Sequence, residues 1–84
     1  MLHLGFGNII SAKDVVLIAD YKTTTYSNVT NEFLKTAEEE GFITDLSNGK
    51  VKSFIVTNET IYYSMISSNT LTKRLNFSYD INCN

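Results

Sequence analysis

Lys50 and Lys52 stand two residues apart just past Asn48-Gly49, and Lys73-Arg74 form a second basic pair further along the chain. In an extended segment such neighbours share a face, so the two lysines project together while Val51 points away. Two ammonium groups at a turn can rest on phosphate oxygens, which gives affinity without reading bases. The same pair also suits a solvated strand edge, where lysine blocks unwanted strand pairing. Charge alone leaves both readings open. Tyr62-Tyr63 offers a second kind of recognition. Consecutive strand residues point to opposite faces, so one ring belongs to the core. The other is free for a subunit contact or for stacking on a base.

Catalytic chemistry has little to work with. The single histidine, His3, and the single cysteine, Cys83, lie at opposite ends of the chain, and no Cys/His cluster has zinc spacing. Asp14 and Asp20 flank a strand pattern, which puts them about 20 Å apart if extended, too far to share a proton or a metal. Gly5-Phe6-Gly7 lacks the third glycine and the following helix that a phosphate loop needs. The expectation is a protein that is not an enzyme and takes no metal or other cofactor.

Those residues must be held by a small scaffold. The chain has 84 residues, which is one domain and a thin core. Without a disulfide framework or a metal site, self-association is a natural source of further stability. The net charge is −2 and the pI about 5.2, which disfavours a generic nucleic-acid binder but allows a local basic face. A lone terminal cysteine fits a reducing cytoplasm. Met1-Leu2-His3 is no export signal, and the apolar run Val15 to Ala19 is far shorter than a bilayer span. The three Asn-x-Ser/Thr sequons, at Asn28, Asn58 and Asn76, match the richness of the chain in those residues rather than glycosylation.

Residues 1–4 and Ile9-Ile10-Ser11 read as short strands around a tight Gly5-Phe6-Gly7-Asn8 turn. Phe6 at its tip either folds back as a lid on the core or plugs into a neighbouring subunit. Val15 to Asp20 is a continuous apolar run, expected at the centre of the sheet or at a subunit contact. Tyr21 to Tyr26 reads as a loop. A helix follows, capped by Ser27 or Asn28, with an apolar stripe of Val29, Phe33, Leu34 and Ala37 and a stop at Gly41. Glu38-Glu39-Glu40 is a solvated acidic end or a contact to a basic patch on a neighbour. Phe42 to Leu46 and Ser53 to Thr57 read as strands joined by an Asn48-Gly49 hairpin turn, and Asn58-Glu59 leads into a strand over 60–65. A helical turn from Ser68 or Asn69 carries Leu71 and Leu75, and residues 76–84 are expected to be a loosely docked tail.

Two signatures tie these elements to a known family. His3-Leu4-Gly5-Phe6-Gly7-Asn8-Ile9-Ile10-Ser11 is the first. Lys52-Ser53-Phe54-Ile55-Val56-Thr57, continuing into Ile61-Tyr62-Tyr63-Ser64, Ser67-Ser68 and Leu71-Thr72-Lys73-Arg74, is the second. In order and spacing they resemble the RemA/RemB family of bacterial extracellular-matrix regulators, nearest the RemB branch, over residues 2–74. The resemblance implies a compact β-rich α+β unit similar to a LytTR DNA-binding domain, closing into ring-shaped homo-oligomers. It also implies a role in matrix or biofilm gene expression. In RemA-like proteins arginines after the turn before the Ile-Val-Thr-type strand are tied to DNA binding, and Lys50 and Lys52 fall there. They keep the charge and lose the bidentate fork. A second such position falls at Asp14, a reversed charge with Lys13 beside it, which departs from the RemA pattern and fits the RemB branch.

The resulting expectation is one α+β domain over residues 1–84. It has five to six short, mostly antiparallel strands, one main helix and a C-terminal helical turn. Lys13, Lys50, Lys52, Lys73 and Arg74 are the candidate DNA contacts. Phe6, Val15, Leu17, Tyr62 and Tyr63 are the candidate subunit contacts. The expected partners are further copies of the chain, in a cyclic assembly, and DNA, with no membrane. An interaction or scaffold module that never touches DNA is the alternative.

Overall fold

A computed structural model describes the backbone of residues 2–24 and 27–82, and the side chains among them other than Thr24 and 77–82. The fold is α+β. Two strands, β1 (Leu2–Gly5) and β2 (Asn8–Ile10), form an antiparallel hairpin. A 3-10 turn at Ala12–Asp14 leads into β3 (Val15–Asp20) and a short helix α1 (Tyr21–Thr24). The main helix α2 (Asn28–Glu39) precedes β4 (Ile43–Leu46), β5 (Ser53–Thr57) and β6 (Ile61–Ser64), and α3 (Ser68–Asn82) closes the described chain. Strands β3 to β6 make one sheet in the order β3-β5-β6-β4.

The sheet is sandwiched. On one face Leu34 and Ala37 of α2 pack against Phe54, Ile61 and Tyr63. On the other, Leu2 and Leu4 of the hairpin and Leu71 of α3 pack against Ile55. Alternation along β5 explains the split, since Phe54 and Ile55 must point to opposite faces. The hairpin turns where Gly5, Phe6 and Gly7 all adopt positive φ, 105°, 51° and 76°. Glycine enters that region at no steric cost, whereas Phe6 sits there against its preference. The Asn8 side-chain amide secures the turn by donating to the carbonyls of Gly5 and Phe6, each at 3.3 Å.

Gly41 ends α2 as its sequence position predicts. Its φ is 78°. The Phe42 N–H donates to Ala37 O at 2.9 Å and the Gly41 N–H to Glu38 O at 3.2 Å, a Schellman closure. Ser27 takes the N-cap position without a side-chain cap bond.

Four expectations change. Asn48 and Gly49 do reverse the chain, with φ of 53° and 83°, but they do not join paired strands. Strand β6 lies between β4 and β5, and β4 pairs with it in parallel. Strand β6 has apolar residues for both faces, Ile61 and Tyr63 on one and Tyr62 on the other, so it suits an interior position. β4 carries Thr44-Asp45 in its middle and suits an edge. Second, of the two places expected for β3, the centre of the sheet is excluded, since it is the other edge strand. A bulge at Val16 shifts its register between Val15 and Leu17, and leaves Val16 65% exposed. Third, only half of the α2 stripe is buried: Leu34 and Ala37 reach the core, while Val29 and Phe33 face out. Fourth, Tyr21–Thr24 is helical rather than loop. The Asp20 carboxylate accepts from the Thr23 N–H at 2.8 Å, and that bond holds the Asp20 carboxyl below its ordinary range. The C-terminal helical element begins at Ser68 as expected, and its backbone runs on to Asn82. The expected tail over 76–84 is thus helical in its backbone to Asn82, and residues 83–84 lie outside the described residues.

Candidate functional site

Three fully buried serines organise one end of the sheet. Ser64 Oγ donates to Leu4 O at 3.0 Å and accepts from the Ile66 N–H at 3.0 Å. Ser53 Oγ donates to Ile66 O at 2.7 Å. Ser47 accepts no solvent either; its N–H and hydroxyl both donate to Asp45 Oδ1. A buried hydroxyl must find such partners or destabilise the fold. Ser53 and Ser64 therefore lock β1, β5, β6 and the segment between β6 and α3 to one another. They are also two of the positions that carry the second sequence signature, which gives that signature a structural meaning.

This locked end is the basic end. The Lys52 N–H donates to Ser64 O at 2.9 Å, and Lys52 O accepts from the Tyr21 N–H at 3.0 Å. The backbone of Lys52 is thus held between β6 and the start of α1, while its side chain and that of Lys50 are exposed and Val51 is half-buried. The expected alternation holds even though the hairpin does not. Lys22 follows Tyr21 directly and joins the two lysines at this end. The sequence hid it, because nothing in Tyr21-Lys22 tells that β3 ends beside residue 52.

The other candidate cations lie elsewhere. Lys13 precedes β3 and so sits at the far end of that strand from Lys52, about 20 Å away along six residues. Asp14 beside it accepts from the Asn58 N–H through its carbonyl, at 3.2 Å. Lys73 and Arg74 are exposed on α3, and one Arg74 N–H donates to His3 O at 3.3 Å. The five candidates do not converge on one face. Lys50, Lys52 and Lys22 are exposed and share one end of the sheet.

The candidate subunit contacts also separate. Phe6 is 65% exposed, so it is no lid on its own core. Gly5, just before it, lies by Ile66, since a Cβ there would stand 3.7 Å from Ile66 Cδ1. Phe6 therefore projects at the basic end. Leu17 is exposed on the edge strand, and Val15 and Tyr62 are half-buried against the Leu2–Leu4 cluster. Of the tyrosine pair, Tyr63 is the core ring. It is edge-on to Tyr21, with centroids 5.4 Å apart, and its hydroxyl donates to Glu38 Oε1 at 2.8 Å. Burial and that carboxylate push the Tyr63 phenol well above its ordinary range. Glu38 is accordingly engaged within the subunit.

At the opposite end of the sheet, on the α2 face, lies a groove of about 430 Å³. Phe33, Phe42, Val56 and Ile61 give it apolar walls, and Glu40 and Glu59 stand at its margin. Phe33 and Phe42 are 50% and 54% exposed. Sequence reasoning missed this groove because the helical periodicity assigned Phe33 to the core. Among the described residues no group of three or more His, Cys, Asp or Glu side chains gathers as a metal site. Among them no helix is long and apolar enough to cross a membrane.

Comparison with known proteins decides the family. The model for "Extracellular matrix regulatory protein A-like", RemA-like, matches residues 1–75. The chain belongs to the RemA-like family. It is 40% identical over 80 residues to Extracellular matrix regulatory protein B of Bacillus subtilis, covering 95% of both chains. Proteins named as regulatory from Dehalococcoides mccartyi and Alkaliphilus metalliredigens are 30% and 32% identical, over 93% and 90% of this chain and 79% and 80% of theirs. The RemA-like match takes in the hairpin, the whole four-stranded sheet and the buried serines, and ends at Leu75, which packs on the hairpin core.

Proposed function

We propose that this RemA-like chain is a homo-oligomeric regulator of extracellular-matrix genes that binds DNA through Lys50 and Lys52, with Lys22 beside them. The observation that carries the reading is the 40% identity to the Bacillus subtilis matrix regulator across 95% of both chains. The lysine cluster supports it. These side chains are exposed, and the Lys52 backbone is pinned between β6 and the start of α1, so its position is preorganised. One subunit with three phosphate contacts binds weakly. A ring repeats the contact, and linked sites gain through effective concentration.

The test is a pair of measurements on Lys50→Gln combined with Lys52→Gln. Light scattering should still give an assembly rather than a monomer, and retention of DNA fragments at low salt should be lost. Retention equal to wild type removes these lysines from the site.

A second reading is an oligomeric interaction module that does not touch DNA. The acidic pI of about 5.2 favours it, as does Asp14, which stands where the RemA pattern has an arginine. Asp14 and Lys13 both lie at the other end of β3 from Lys50 and Lys52, so neither adds to the basic end.

A further inference from the structure

Two apolar features of this chain are exposed at opposite ends of one sheet. The groove is concave, and Phe6 is a single ring raised on a glycine-flanked turn. They also lie on opposite sides of the sheet, since the groove opens beside α2 and the β1–β2 hairpin packs on the other face. A subunit therefore cannot fold its own Phe6 into its own groove.

Charge selects what can cover the groove. Its lining includes Glu40 and Glu59 and no basic residue. Two grooves placed face to face in a symmetric dimer would oppose four carboxylates, and like charges set against each other across an interface disfavour that pairing. The complement must be apolar at its centre and basic at its margin. Phe6 with Lys50 and Lys52 around the same end of the sheet meets that description. The groove, at about 430 Å³, has room for a phenyl ring and for more of the turn that carries it.

We infer that the Glu40/Glu59-rimmed groove receives Phe6 of a second copy of this chain, in a head-to-tail contact. The inference rests on the self-assembly in the proposed function and names the surfaces that make it. Such a contact is heterologous, so each subunit uses one knob and one groove, and repetition closes a ring or extends a filament. Phe6 is the buried anchor. Lys50 and Lys52 lie at the rim, where charges steer association and stay open to solvent. The strained turn then has a purpose: glycines on both sides hold Phe6 out from the subunit, and its positive φ fixes the direction.

The test uses light scattering on the full chain at micromolar concentration. Phe6→Asn removes the ring and keeps a residue that tolerates positive φ. Phe33→Lys blocks the groove from a half-exposed position. Each variant alone should fall to the 9.5 kDa monomer, with a wild-type circular dichroism spectrum. Mixed in equal amounts they should form a dimer of twice that mass and nothing larger, because one intact knob meets one intact groove. If Phe33→Lys does not fold, Glu40→Lys with Glu59→Lys, both exposed, replaces it with the same expected outcome. Wild-type assembly mass in both variants overturns the inference while leaving self-assembly standing, and so does a mixture that stays monomeric. A wild-type chain that is itself monomeric overturns the self-assembly as well.

Discussion

The two faces of the four-stranded sheet are finished differently. Under the hairpin and α3, Leu2, Leu4, Ile55 and Leu71 are wholly excluded from solvent, and Ser53 and Ser64 tie the layers together. Under α2 the packing is partial. Leu34 and Ala37 reach the sheet, but Phe33 and Val29 do not, and the groove is left beside them. The closed face spends its apolar residues on stability. The open face keeps large apolar residues at the surface, which a chain with so thin a core does not do for stability alone.

The sharpest way to break this comparison is to truncate one residue on each face. Leu71→Ala, in the closed face, should lower the unfolding free energy by about 3 kcal/mol, as a buried large-to-small change does. Phe33→Ser, in the open face, should change the monomer's stability by less than about 1 kcal/mol while weakening assembly. Denaturant titration of both reads the contrast directly. Equal losses would mean that the open face is ordinary core.

A smaller effect belongs to the buried serines. Ser64→Ala removes a donor to Leu4 O and an acceptor for the Ile66 N–H, and should cost about 1–2 kcal/mol. Smaller still is Tyr63→Phe, about 1 kcal/mol at neutral pH. Its pH dependence is more telling. The folded-state phenol lies above its unfolded value, so folding favours the neutral form. The stabilisation is fully present below about pH 10, the ordinary phenol value, and is lost as pH rises through the folded-state value. Chemical unfolding midpoints should decline above about pH 10 in the wild type, and Tyr63→Phe should remove that part of the decline.

Much of the scaffold could be read from residues because local rules dominate there. Gly41 stops α2, the glycine-bounded turn makes the first hairpin, and Asn58-Glu59 links β5 to β6 with the Thr57 N–H donating to Thr60 O at 2.9 Å. The strand order could not be read so. Asn48-Gly49 specifies a chain reversal, and a reversal does not say that a later strand will insert between the two arms. The continuous apolar run of β3 pointed equally to a central strand or to a covered edge, and the bulge at Val16 that decides between them has no local signal. The site was half legible for the same reason. Lys50 and Lys52 announce themselves by spacing, whereas Lys22 joins them only through the Tyr21–Lys52 backbone bond. Phe33 lies on the same helical line as Ala37, and periodicity cannot tell which end of that line the sheet reaches.

The most direct test of the account is binding of the purified wild-type protein to a pool of its own genomic DNA fragments across a salt series. Contacts to phosphate release counterions, so affinity must fall steeply as salt rises. The account predicts retention at low salt that persists for particular promoter fragments at physiological salt. Absence of retention even at low salt would contradict it, and would make the lysine end a solvated edge of an assembly whose partners are proteins.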